Sequence, residues 1–456
     1  MPQTRNGSSP SGPGGLRQET VVMRRLGFID AFFLAFGGQS ILLSLLTYGA
    51  AVIALSGYFS PVAVALGTAL VVLNGVVVQR LSNLYTQNGG YYNYAKNLNG
   101  RLGAHTGWVY ISYATLYGGA YVVGTAFVVG YALGLSPVMV SLIITVSAIS
   151  LVLLGVKPSS RYAIATGLLE IGIILYFVVG SFMHAHFTVY NPLSNIKLTK
   201  GIPLAILLGA SIPTGYGVLA QVSGEVVEAE RTVGRAMLSV IIISGFLASI
   251  FVLALSNLAY TMSLRAHTLG AEGMLSLVSN INEAARPIII FSVLSDGVLG
   301  AMAYLMAATR TIWRMSQDGY MPKWFGVLRR GEPTNTLAVL APAYIFITTL
   351  SMLFLPAFDD FVALGVVAAL CSLYIHFVAN TSLYSHTRKP SSRGNAWRII
   401  ALLAMCYTGF NFGFSLYEGK TIYAAVFLGL TLTGLVYTLL RHGKHRRVGG
   451  GFDYPS

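Results

Sequence analysis

The chain has 456 residues, of which 55% are hydrophobic and only 10% charged, with a mean hydropathy of +0.68. Soluble domains carry about 25% charged residues, so a soluble globular fold is excluded, and so is an extended disordered chain, which needs low hydrophobicity and high charge. The net charge of +14 would elsewhere suggest nucleic acid, so where the charges fall along the chain decides its meaning.

Residues 1–25 open the chain as a Ser-, Pro- and Gly-rich tail without the apolar run of a signal peptide. Apolar spans follow near 27–56, 61–84, 103–134, 137–155, 161–183, 201–221, 235–261, 287–314, 337–356, 360–384, 397–416 and 421–440. A helix needs roughly 20 residues to cross a bilayer, so the reading is an all-α membrane protein with twelve transmembrane helices. Residues 26–384 hold spans 1–10, residues 385–440 hold spans 11 and 12, and 441–456 form a second tail. With the N-terminus inside, all of the 29 Lys and Arg except Lys197, Lys200, Arg265, Arg286 and Lys420 fall on one side. That asymmetry predicts a multi-pass protein of the cell membrane with both tails cytoplasmic. It accounts for the basic balance through membrane lipid, without nucleic acid; the run KHRR in the C-terminal tail then touches anionic headgroups.

Span 1 is interrupted by Gly37-Gly38-Gln39-Ser40, and span 6 by the run from Gly209 to Gly217, which contains Ser211, Pro213, Thr214, Gly215 and Tyr216. Gly and Pro also kink ordinary packed membrane helices. Breaks at the first position of two five-span sets point instead to an inverted-repeat transporter with its site at the midplane. Unwound backbone frees N–H and C=O groups that lipid cannot satisfy and a polar substrate can. Gly37, Gly38, Gln39, Ser40, Ser211, Thr214, Gly215, Tyr216 and Gly217 are therefore the expected substrate contacts. In span 3, Tyr110, Tyr113, Tyr117 and Tyr121 share one helical face; Tyr117 and Tyr121 lie near midplane and either line the cavity or pack.

Few ionisable residues sit within spans. Glu170, in the middle of span 5, costs roughly 2.5–3.5 kcal/mol to insert as a charge, and no Lys or Arg lies close to it on the same face except Arg161 near the inner end. It is either a proton-coupling group or a carboxyl held by a neighbouring carbonyl. Asp296 in span 8 either faces an outer vestibule and favours a cation, or caps a local helix break. His376 in span 10 reads as a packing residue. His184-x-His186 lacks further metal ligands, and Cys371 and Cys406 read as small packing residues. No metal site and no cofactor are expected.

The run Asn88-GGYYNYAKNLNG-Arg101 with Gly107-Trp108, the stretch TRTIWRMSQDGYMPKWF (309–325) with Pro333, and GEVVEAERTVGRA (224–236) resemble segments of the amino acid–polyamine–organocation superfamily. The likeness runs from about residue 26 to 440. It implies a five-plus-five inverted repeat with discontinuous helices 1 and 6 and two extra C-terminal spans, carrying amino acids or amines. Where the family usually has a second Gly-x-Gly or Gly-x-Ser that docks substrate carboxylates, this chain reads Ile41-Leu42-Leu43. Contacts are then left to Gly37–Ser40, and a carboxylate-poor ligand such as an amine becomes an option. Glu225 matches the family's acidic segment and is expected to act as a cytoplasmic gate. Tyr216 matches an aromatic that closes over substrate. Glu170 aligns where some proton-coupled members carry a lysine.

The expected function is a secondary active transporter, not an enzyme, that moves an amino acid or related amine by alternating access through proton symport or exchange. The alternatives are a membrane-embedded enzyme and a channel or sensor on the same scaffold. There is no Ser/His/Asp set at one depth, no repeated filter loop and no GxxxxGK[ST] for an ATP-driven pump.

Overall fold

The computed structural model describes residues 23–193, 201–262, 286–387, 392–418 and 420–445. Both distal tails, with Lys197, Lys200, Arg265 and His267, lie outside the described residues. Among the described residues the chain is helical, and its β-structure is confined to the isolated bridges Leu26–Val226 and Arg329–Glu332. A chain this apolar has little choice, because a helix satisfies its backbone polar groups within itself.

Ten stretches are long and apolar enough to cross a membrane, counting Phe28–Leu84 as one and excluding the shorter apolar helix Gly201–Ser211. In chain order the helices are α1 (Phe28–Gly37), α2 (Ile41–Ser44), α3 (Ala50–Ser56), α4 (Ser60–Leu84), α5 (Gly90–Lys96), α6 (Gly100–Leu133), α7 (Pro137–Leu154) and α8 (Val156–His184). They continue with α9 (Gly201–Ser211), α10 (Val218–Gln221), α11 (Ala229–Thr261), α12 (Arg286–Gln317), α13 (Thr334–Ile345), α14 (Ala357–His386), α15 (Ser392–Glu418) and α16 (Thr421–His445). The ends follow local chemistry. The Asp30 carboxylate accepts the Gly27 N–H at 2.9 Å to start α1. Asn99 accepts from the Arg101 N–H at 2.8 Å to start α6, and Gly134 ends it at φ 66°.

Helix α4 packs on α9 and α11, α6 on α12 and α14, α1 on α8 and α11, and α7 on α13. Helices α15 and α16 sit at the edge, where Phe410, Leu428, Leu432 and Leu440 are exposed, as lipid allows. The cysteine expectation holds for Cys371, which is buried, and not for Cys406, which is exposed. The reason is that α15 packs on one side only, so half of its surface is left outward.

Span 1 is broken as its sequence suggests. After α1, Gly38–Ser40 leave the helix, Ser40 lies in the left-handed region at φ 42°, and the chain resumes as α2, a π turn at Leu45–Gly49, and α3. In span 6 the helix persists through Gly209, Ala210 and Ser211. The interruption is therefore residues 212–217, shorter than the Gly209–Gly217 run.

Candidate functional site

The two breaks meet backbone to backbone. A side chain added at Gly38 would put its Cβ 2.6 Å from the Gly215 carbonyl oxygen, and one added at Gly215 would lie 1.9 Å from the Gly38 carbonyl oxygen. Gly215 also takes φ 115°, which side-chain-bearing residues rarely adopt. Across the gap the Gln39 amide Nε2 donates to the Pro213 carbonyl at 2.7 Å. The Gln39 carbonyl accepts from the hydroxyls of Tyr121 at 2.8 Å and Ser44 at 2.9 Å. Gln39 Oε1 is buried without a donor.

Asp296 lies against the far side of the first break. Its Oδ2 accepts the Leu43 N–H at 2.9 Å, near the start of α2, and its backbone carbonyl accepts from Ser40 Oγ at 3.3 Å. Asp296 differs from both readings: the side chain is fully buried, α12 runs unbroken through it, and what it caps is the distant break in span 1 rather than a local one. Glu170, equally buried, approaches Asp296 from α8, so that two carboxyl groups face each other. Both Glu170 oxygens and Asp296 Oδ1 meet no hydrogen-bond partner among the described residues. The neighbouring-carbonyl reading of Glu170 is replaced by a carboxyl partner 126 positions away, which no local pattern signals.

The span 3 tyrosines do share a face. Their rings step along α6 at 5.6 Å (Tyr110–Tyr113), 5.5 Å (Tyr113–Tyr117) and 4.9 Å (Tyr117–Tyr121), and Tyr304 of α12 packs on the last three. A cavity of about 350 Å³ lies where this stripe meets the end of α9, and Tyr113, Tyr117, Ser211, Thr214, Ser372 and Asn411 line it. That volume is within the range of small-molecule sites. Of the expected contacts, Tyr117, Ser211 and Thr214 line this cavity. Gly38, Gln39 and Gly215 form the joint between the breaks with Tyr121 bonded to it, whereas Gly37 lies against Leu299, Ser40 against Asp296, Tyr216 against His376 and Gly217 against Tyr91.

Tyr216 closes on His376 rather than on open space. His376 Nδ1 donates to the Ser372 carbonyl at 2.8 Å, which leaves Nε2 to accept from Tyr91 at 3.0 Å and Tyr216 at 3.2 Å. Residue 376 is therefore more than packing: it ties span 10 to the second break and to the short helix α5. The sequence hint was the histidine's rarity within spans.

The end of the bundle where span 1 begins is sealed by charge. Glu225, just past the second break, holds Arg310 of α12 through Nε at 2.8 Å and Nη2 at 3.3 Å, and Arg310 also pairs with Glu332. Arg310 and Glu225 are each 2% exposed, so removing one partner would strand a buried charge, at about 3–5 kcal/mol. Glu225 also anchors the entering chain, its carbonyl accepting the Arg25 and Leu26 N–H groups. Asp30 pairs with Lys157 at 2.7 Å. Asp318 takes Lys96 and the Tyr92 hydroxyl, each at 2.7 Å, which joins the 88–101 and 309–325 segments in space.

The family model described as amino acid permease matches residues 31–441. Two curated relatives are "Solute carrier family 12 member 8" of Mus musculus and of Homo sapiens, each 26% identical, over 304 and 316 residues respectively. The aligned regions cover 63% and 66% of this chain but only 42% and 43% of the relatives, so the chain spans less than half of their length.

Proposed function

We propose that the chain, which belongs to the amino acid permease family, is a secondary active transporter that carries a small amine, or an amino acid bearing one, by alternating access. The observation that carries this reading is the joint of two broken helices beside a cavity of small-molecule size, because unwound backbone at that depth has to be satisfied by protein or by a polar ligand that binds there. The packing supports a five-plus-five inverted repeat within twelve spans. Span 2 (α4) lies on span 7 (α11), span 3 (α6) on span 8 (α12), and span 4 (α7) on span 9 (α13), while breaks 1 and 6 meet. Two further spans (α15 and α16) lie outside it.

The chemistry of the joint favours the amine over the carboxylate. The N-terminal end of a half-helix ordinarily attracts a substrate's carboxylate. Here Asp296, a residue of the chain, already takes the Leu43 N–H. What remains unpaired around the first break is acceptors: Gln39 Oε1, Asp296 Oδ1 and the Glu170 oxygens. Such a surround suits a donor-rich cationic group and has nothing to offer a second anion. We further assign the proton to the Glu170–Asp296 pair, since two buried carboxyl groups that face each other with no cation paired to either do not both stay ionised. The basic, ion-paired end is then cytoplasmic. Labelling of a cysteine at Ser8 by an impermeant thiol reagent in intact cells would reverse that orientation.

Lysine and its decarboxylated counterpart cadaverine test the reading, because they differ by one carboxylate. Proteoliposomes are expected to accumulate cadaverine when a pH gradient is imposed, with lysine a competitor at least tenfold weaker, one tenfold being about 1.4 kcal/mol. Equal use of both would return the substrate to amino acids in general. Gradient-independent equilibration of every amine tested would end the secondary-transport reading.

A further inference from the structure

We propose that the sealed end of the bundle carries a binding site for a phosphate-bearing anion, and that its occupant is the headgroup of an anionic phospholipid. The site is independent of the transported substrate. A cavity of about 390 Å³ opens where α7 hands over to α8, bounded by Arg25, Lys157, Arg329, Arg330, Glu332 and Thr334. Four of these side chains are cationic and one is acidic, and the acid is engaged. Glu332 pairs with Arg310, and its Oε1 accepts the Val156 N–H at 3.0 Å. Lys157 is held by Asp30. Arg25, Arg329 and Arg330 pair with no acid among the described residues.

Two features mark this as a built site rather than a basic surface. The two arginines are aimed by a tight turn: Arg330 and Gly331 both have positive φ (55° and 81°), and the turn is closed by Arg329 and Glu332, whose N–H groups each donate to the other's carbonyl, at 2.9 and 3.0 Å. That is the geometry of a two-residue hairpin turn. The N-terminus of the 29-residue helix α8 also faces the cavity through Val156 and adds positive potential.

The lip identifies the source of the anion. Leu153 and Leu154, the last two residues of α7, also line the cavity and are 54% and 67% exposed. They close a membrane-spanning helix, so they stand at the bilayer boundary. An occupant therefore meets guanidinium groups on one side and bare aliphatic surface on the other. A free phosphate has no use for the leucines, whereas a phospholipid places its phosphate among the arginines and its acyl chains along them. Basic pockets between spans at the cytoplasmic surface suit such headgroups, and guanidinium binds phosphate bidentately.

The test uses the full chain purified in detergent, with thermal unfolding followed as phosphatidylglycerol, phosphatidylcholine or inorganic phosphate is added. Phosphatidylglycerol is expected to raise the unfolding temperature and phosphatidylcholine not to. At about 1 kcal/mol per cation near the surface, Arg25→Gln with Arg329→Gln and Arg330→Gln should weaken the phosphatidylglycerol effect by roughly a hundredfold in concentration, and Arg330→Gln alone by about fivefold. Arg231→Gln with Arg235→Gln, which removes charge from the α11 end, should leave it unchanged. Leu153→Ser with Leu154→Ser should weaken the lipid effect. If inorganic phosphate stabilises the chain as strongly and the leucine variant behaves like the parent, the site takes a free anion and the lipid assignment is overturned. If the Arg231/Arg235 variant loses as much as the cavity variants, the effect is general surface charge and there is no site.

Discussion

A Glu170→Gln variant is expected to exchange substrate across the membrane and to lose accumulation driven by a pH gradient. Glu170 and Asp296 are both fully buried and face each other, and neither Glu170 oxygen has a hydrogen-bond partner among the described residues. Glutamine preserves the volume, and its amide can donate to the Asp296 carboxylate, so the joint at the first break keeps its cap on Leu43. What glutamine cannot do is gain and lose a proton. With one proton per substrate, a gradient of one pH unit supports about tenfold accumulation, equivalent to 1.36 kcal/mol. The variant should show none, and its exchange rate should no longer follow pH. Asp296→Asn provides the second arm: the asparagine oxygen can still accept from Leu43, yet the pair again has one titratable member. Cadaverine uptake into proteoliposomes reads both. If each variant accumulates like the parent, the carboxyl pair is structural and the proton must travel elsewhere.

Gly215→Ala should abolish uptake outright, although it adds a single methyl group. The methyl would fall 1.9 Å from the Gly38 carbonyl oxygen, far inside the 3.5–4.0 Å of ordinary contact. It would also sit on a residue at φ 115°, a conformation that costs about 1–3 kcal/mol for a side-chain-bearing residue. Relief requires the two breaks to separate, which undoes the Gln39–Pro213 bond. Gly172 of α8 is the matched control, since nothing lies within 4 Å of an added methyl there. Gly172→Ala should insert, transport normally and gain about 0.5–1 kcal/mol from helix propensity. Both are read by uptake alongside the amount of folded protein recovered. Normal uptake by Gly215→Ala would remove the joint from the mechanism.

That the chain is a bundle of apolar helices, ten stretches of them long enough to cross a membrane among the described residues, and where two of its helices break, was readable without coordinates, because each rests on local chemistry. Hydropathy over about 20 residues marks a membrane helix, and Gly38, Pro213 and Gly215 mark where its hydrogen-bond ladder fails. The shared face of Tyr110, Tyr113, Tyr117 and Tyr121 follows from helical period alone. The acidic segment after span 6 was likewise legible as a seal, though its partner Arg310 appeared in the sequence only as one more inward charge. What the tertiary structure decided is who faces whom. Glu170 finds Asp296, and Asp296 finds the Leu43 N–H 253 residues away. His376 finds Tyr91 and Tyr216. Arg329 and Arg330 converge with Arg25 around one cavity. A helical period states which side of its own axis a residue occupies, but not which distant helix lies on that side. That is set only when the helices pack, and the functions proposed for this chain lie in those meetings.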